Sequence, residues 1–158
     1  MNITKDQEGF SLVELLIVVT VIGILAAIAV PNLLASRRAA YEGSAQSSLR
    51  TIQTCEATYR ATAGNGSYGT LADLKGQYLT DTVLASGTKS GYNFAVNPSG
   101  SGLAAQFYST AVPTITSGLD ISGTRRFAMT EDGVPRGDAS FALPADHAEV
   151  EGMLPLGN

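Results

Sequence analysis

From Phe10 to Val30 the chain runs 21 residues with a single charged side chain, and the rest of the molecule has to accommodate that run. As a helix rising about 1.5 Å per residue it would cover roughly 31 Å, close to the hydrocarbon thickness of a bilayer. Val, Ile and Leu would lie on every face, so lipid or closely packed neighbours must surround it. Three arrangements supply such surroundings: a cleaved secretory signal, a plain membrane anchor, or the buried helix of a soluble protein. Ala27-Ile28-Ala29 fits a small-x-small cleavage site and Lys5 gives a thin basic leader. Against a signal, the run exceeds the usual ~7–15 apolar residues and contains Glu14. An anchor explains the length and leaves the carboxylate unexplained, and uniform apolarity argues against a soluble core helix.

Glu14 is the discriminating residue. A carboxylate at mid-bilayer costs about 2.5–3.5 kcal/mol on insertion scales and normally has a partner. The nearest cations in sequence are Lys5 and the Arg37-Arg38 pair. Glu14 lies about one turn inside the run, so it can also reach toward the interface. Cleavage after Gly9 would create a cation at hand, the α-amino group of Phe10. Two groups at the same end of one rigid helix are poorly placed to meet. A neighbouring copy, shifted along the axis by about one turn, would present its amine directly to Glu14. The charge pattern therefore points to cleavage after Gly9 followed by assembly.

Gly9-Phe10-Ser11-Leu12-Val13-Glu14-Leu15-Leu16 resembles the processing motif of type IV prepilins and of the pseudopilins of type II secretion. A short polar leader ends in Gly, Phe follows, an acid stands five residues past the cut, and the apolar helix continues. The leader is less basic than is usual in that family, and the resemblance covers roughly the first third of the chain. It implies that Gly9 precedes the cut made by a prepilin peptidase, that Phe10 becomes the N-methylated first residue, and that Phe10 and Glu14 pair between subunits during assembly. Gly23 and Pro31 sit where pilins carry a helix-weakening pair. Pro31 lacks the N–H that would bond the carbonyl of Ala27 and Gly23 is a poor helix former, so local melting between them is physically plausible.

Beyond Pro31 the sequence stays helix-compatible to about Ala63. Tyr41, Ala45, Leu49, Ile52, Cys55 and Tyr59 step by three and four, an apolar stripe of helical period. Arg38, Glu42, Gln46, Arg50, Gln53 and Arg60 lie between them as a solvated or subunit-facing side. A helix is expected to end at Gly64–Thr70, and Leu71–Gly87 to form short helical turns anchored by Leu71, Leu74, Tyr78 and Leu79. Tyr92–Val96 alternates like a strand before an Asn97-Pro98-Ser99-Gly100 turn. Leu103–Val112 and Thr124–Thr130 read as further strands, and Asp132-Gly133 as a hairpin turn into Val134–Arg136, with Pro135 demoting that strand to an edge. The expected fold is α+β: a long N-terminal helix, apolar then amphipathic, packed on a small antiparallel sheet, as in pilins. Its divisions are a leader (1–9), a transmembrane or filament-core segment (10–31), and the amphipathic helix half with a sheet-bearing head (32–158). No disulfide loop can close the C-terminal region, and the order of the tail from Ala142 to Asn158 is left open.

The chemistry of catalysis is missing from the pattern. The only histidine, His147, lies in an acidic tail and is expected to be solvated, and no nucleophile–base pair is expected from it. With one cysteine, Cys55, expected as a buried thiol, there is no zinc-type ligand set. Glu131, Asp132 and Asp138 match no calcium-loop spacing. No cofactor and no metal are expected, and the chain does not read as an enzyme. A net charge of -4 without a basic block argues against nucleic acid as the main partner. Three functions remain. The first is a pilus-like filament subunit, handled by prepilin peptidase, membrane lipid and the inner-membrane assembly machinery, and partnered with copies of itself at the cell surface. The second is a periplasmic type II secretion pseudopilin. The third is an uncleaved membrane-anchored binding module.

Overall fold

The computed structural model describes residues 10–157. Expectations for the leader 1–9, Gly9 included, lie outside the described residues. The chain divides into two compact units, one ending at Ser36 and one beginning at Arg37. The longest element, α1 (Leu12–Ala61), runs from the first into the second.

In the first unit the helix carries its large apolar side chains in the open, from Leu12 through Leu33. Every hydrogen bond of a helical backbone is made within the segment, which is why such a sequence can enter hydrocarbon where a strand could not. Thr20 satisfies its hydroxyl locally, donating to the carbonyl of Leu16 at 2.7 Å.

In the second unit α1 contributes one wall of the core. Ala45, Leu49, Ile52 and Cys55 are buried, flanked by partly buried Tyr41 and Tyr59. The helix stops at Ala61 because Asn65 and Gly66 take positive φ (51° and 90°). The amides of Gly64 and Gly66 then bond back to the carbonyls of Tyr59 and Arg60. The Arg60 guanidinium adds bonds to the Gly66 carbonyl and the Tyr68 hydroxyl, at the end of the helix where the dipole favours a cation. Two one-turn helices follow. Thr70 and Asp73 cap α2 (Leu71–Leu74) reciprocally, and Asp81 caps α3 (Thr82–Ala85) by accepting from the amides of Val83 and Leu84.

Five antiparallel strands then form a sheet in chain order: β1 (Thr88–Lys89), β2 (Tyr92–Ser99), β3 (Gln106–Pro113), β4 (Arg126–Thr130) and β5 (Arg136–Asp138). Tyr92, Phe94, Phe107 and Phe127 pack toward α1, with Leu74, Leu79 and Leu84 closing the core from the short helices. The fold class matches the expectation of an α+β chain with a long helix on a small antiparallel sheet.

Local expectations require correction at two strands, and the order of the tail, left open above, is decided. The turn foreseen at Asn97–Gly100 is instead strand: β2 continues through Ser99, with Pro98 opposite Phe107. Proline is tolerated there because β1 pairs only with Tyr92 and Asn93, so the far edge of β2 needs no donor at Pro98. The last strand begins two residues later than foreseen, at Arg136, although it is the edge strand that Pro135 suggested. The tail is built into the fold. A fourth helix, α4 (His147–Gly152), is capped by Asp146 and lays Val150 against Ala128, with Met153 just beyond, on the sheet face away from α1. This is why β4 is buried at every position.

The tail is held to that face by charge. Arg126, itself buried, donates to both carboxylate oxygens of Asp138 (2.8 Å each), to Glu149 (2.8 Å) and to the carbonyl of Ala142 (2.6 Å). It thus ties β4, β5, the connecting segment and α4 at one point. Arg126→Ala leaves Asp138 and Glu149 without their cation. It is expected to cost about 2–3 kcal/mol, the lower end for a broken buried pair because both acids are partly solvated. Thermal unfolding and limited proteolysis of the detergent-solubilised chain check this: the variant should be cleaved preferentially between Ala142 and Asn158.

Candidate functional site

Phe10 stands just ahead of α1 and is exposed, and Ser11 offers its carbonyl to the amide of Leu15. Glu14 falls in the first turn of α1, where the helix dipole favours an acid. Among the described residues it has no hydrogen-bonding or ionic partner. Leu12, Leu15, Leu16 and Val19, beside it, line a shallow groove of about 170 Å³, a ridge-and-groove surface of the kind another helix packs into. Gly23 has open space around it, with no atom within 4 Å of where a Cβ would lie. Pro31 lies inside α1, which is helical on both sides of it. The four residues therefore lie in order along one uncovered segment, and among the described residues nothing brings Phe10 and Glu14 together.

Several ionisable groups of the head are paired with one another. Glu131, Asp132 and Asp138, the three acids near the hairpin, each have a side-chain partner of their own. Glu131 meets His147 Nε2 at 2.8 Å, Asp132 meets Arg136 at 2.6 Å, and Asp138 meets Arg126. Arg136 and two neighbouring donors hold the Asp132 carboxyl down at about 2 against the desolvation that opposes them. His147, expected to be solvated, is largely buried between Glu131 and Glu151. The sequence hid this because its partners come from the hairpin and from the next turn of α4. Cys55 is buried as expected, its thiol 3.2 Å from the carbonyl of Tyr78 and its pKa raised by desolvation, which makes it unreactive.

Glu56 was missed. It lies next to Cys55 on α1 and is fully buried, with one oxygen accepting from the amide of Gly69 at 3.0 Å and the other buried without a partner. Desolvation, with the charge of Asp73 nearby, pushes its pKa from 4.5 up to about 7, despite the Gly69 bond that favours the anion. Its neighbours in the sequence gave no warning, since polar positions on both sides of it are solvated.

The family of the prokaryotic N-terminal methylation motif matches residues 4–30. Over 53 residues, a third of its length, the chain is 41% identical to the type IV major pilin protein PilA of Myxococcus xanthus, covering 24% of that protein. Over 36 residues it is 56% identical to the type IV wide pilus major component PilA4 of Thermus thermophilus, covering 28% of it. Over 60 residues it is 33% identical to the type II secretion system core protein G of Escherichia coli, covering 41% of it. The chain thus spans about a quarter to two fifths of the length of the relatives it matches. No solved structure matches it. The motif recognised around Gly9 and Phe10 is therefore the one these comparisons return, and the similarity extends to pilins and to a secretion-system protein alike.

Folding raises the pKa of Glu56, so between about 4.5 and about 7 the folded chain holds a proton that the unfolded chain has released. Stability falls as pH rises through that window, and the loss is complete above it. Glu56→Gln keeps an acceptor for Gly69 without a buried charge. It is expected to gain on the order of 2 kcal/mol at pH 8 and little at pH 4.5. Denaturant titrations of both proteins across that range check this; parallel pH profiles would contradict it.

Proposed function

We propose that this chain, carrying the N-terminal methylation motif over residues 4–30, is a subunit of a type IV pilus-like filament. It is made as a prepilin, cleaved after Gly9 by a prepilin peptidase, N-methylated at Phe10 and polymerised from the inner membrane. The observation that carries this reading is Glu14: an acid on an uncovered apolar helix, four positions after the residue that cleavage would turn into a cation. Before assembly, lipid covers the helix. Afterwards neighbouring copies cover it, and Glu14 receives the amine of the adjacent Phe10.

In this reading the segment from Gly23 to Pro31 loosens as the subunit leaves the membrane. Gly23 contributes low helix propensity and Pro31 a missing backbone donor. The head, 32–158 with the amphipathic half of α1, becomes the outer layer of the fibre. Residues 10–31 become its core. The subunit is thus a single-pass inner-membrane protein first and a cell-surface filament component later.

A pseudopilin reading is supported by the 60-residue similarity to core protein G, the longest of the three alignments. It differs in where the filament goes, into the periplasm and no farther. Sheared extracellular fibre containing the chain favours the pilus, and filaments retained in the periplasm favour the pseudopilin.

Mass spectrometry of the native protein should find a chain starting at N-methylated Phe10; a start at Met1 would leave only a membrane-anchored module. Glu14→Ala should still insert and be processed, while sheared fibre falls about tenfold or more, as expected for losing an interaction of at least 1.4 kcal/mol per added subunit. Wild-type fibre yield would remove the pairing. Gly9→Ala should accumulate unprocessed precursor, visible as a mass nine residues larger than the mature form.

A further inference from the structure

Loop 114–125 presents an apolar tip that the head does not use. Leu119 is 88% exposed and Ile115 45%, yet the loop is held firmly. Ser122 donates its amide to the carbonyl of Ile115 (2.9 Å), and the Ile115 amide donates to the Ser122 hydroxyl (3.2 Å), closing the loop at its neck. Gly118, with φ 93°, makes the bend beside Leu119. With its neck closed in this way, the loop leaves Leu119 outside the core.

The loop is also fixed to a particular stretch of α1. Thr124 donates to Glu42 through its amide (2.8 Å) and its hydroxyl (2.7 Å), and Arg125 reaches the same carboxylate at 3.3 Å. Asp120 then pairs with Arg37 at 3.2 Å, five positions nearer the N-terminus of α1. From Arg125 back to Asp120 the loop therefore runs along α1 toward Arg37, the first residue of its unit. Only seven positions separate Val30 from Arg37. Whatever the angle between the two units, that tether keeps Arg37 within about 10–25 Å of the end of the apolar run.

We infer that the tip of this loop, Leu119 with Ile115, seats in the interfacial layer of the bilayer and gives the unassembled subunit a second contact with lipid. The inference rests on reading Phe10–Val30 as membrane-spanning. An exposed leucine on a turn suits that layer, where apolar side chains enter the acyl boundary. Arg37 and Arg125, both about half exposed, pair with Asp120 and Glu42, so the acids beside the tip are offset where it would meet the surface. The contact sets the head down on the membrane surface and is given up when the subunit leaves the bilayer.

The chain contains no tryptophan, so single tryptophans report local surroundings without background. Leu119→Trp, Leu103→Trp and Val19→Trp are each reconstituted as full-length chain in vesicles of phosphatidylcholine and phosphatidylglycerol, with bromine on the upper acyl chain. Leu103 is fully exposed beside Gly102, whose carbonyl bonds Arg60 near the far end of α1. Leu119→Trp should emit to the blue of Leu103→Trp and be quenched by the bromolipid, Leu103→Trp should be unquenched, and Val19→Trp should be quenched. If Val19→Trp is quenched while Leu119→Trp emits as in water, the loop does not reach lipid and the inference is overturned alone. If Val19→Trp is unquenched, the membrane reading fails and takes the inference with it. Equal quenching at positions 119 and 103 would show unspecific adsorption of the head and overturn it. So would a blue shift at position 119 that ignores bromine and grows with protein-to-lipid ratio, because the tip would then be covered by another copy.

Discussion

A helix whose apolar side chains point outward on every side has no stable existence in water, and no described residue covers this one. Large apolar residues from Leu12 to Leu33 stay exposed, and at about 1.5–3 kcal/mol per side chain left in water the penalty exceeds the whole stability of an ordinary domain. The surroundings must therefore come from outside the described residues, and in the proposed function they are lipid first and other copies later. Glu14 makes the two environments unequal. Hydrocarbon offers it nothing, while a shifted neighbour with a free N-terminus offers a cation. In the proposed assembly that difference selects the register between subunits, and it needs proteolysis to come first.

The head is a complete fold without that segment. The amphipathic half of α1 supplies one layer of the core, the sheet the second, and α4 with its flanking chain a third. In place of a covalent closure at the C-terminus, Arg126 gathers Asp138, Glu149 and the Ala142 carbonyl. Such a clamp is specific in geometry and orders the tail, though its net stabilisation is reduced by the desolvation of the ions involved. At the other end of the sheet, Glu56 is a buried acid with half of its hydrogen-bonding capacity unused, a local cost in stability that the rest of the core offsets.

Much of this was legible in the residues because it depends on period and spacing. The apolar run, the stripe from Tyr41 to Tyr59, the alternation in β2 and the turn chemistry at Asn65-Gly66 and Gly133 all declare themselves within a few positions. What escaped depends on contacts between distant segments. Burial of Glu56 is decided by Gly69, the pairing of His147 by Glu131, and the order of the tail by Arg126, sixteen positions or more from the tail residues it binds. Pro98 misled for a related reason: its place within a strand is permitted only because β1 is too short to reach it. Of the candidate site, Glu14 was recognisable through its chemistry alone, since a charge in an apolar run stands out without any knowledge of the fold.

The proximity of Glu14 to the N-terminus of another copy can be read directly in intact filaments. Two populations are mixed before assembly, one labelled with ¹⁵N in phenylalanine and the other with ¹³C at the glutamate carboxyl carbon, so that any through-space transfer between the labels is intermolecular. The account predicts a cross-peak between the Phe10 amine of one copy and the Glu14 carboxylate of the next, at ion-pair distance, no more than about 4 Å between nitrogen and oxygen. Filaments in which that cross-peak is absent, with Glu14 protonated or bound elsewhere, would contradict it.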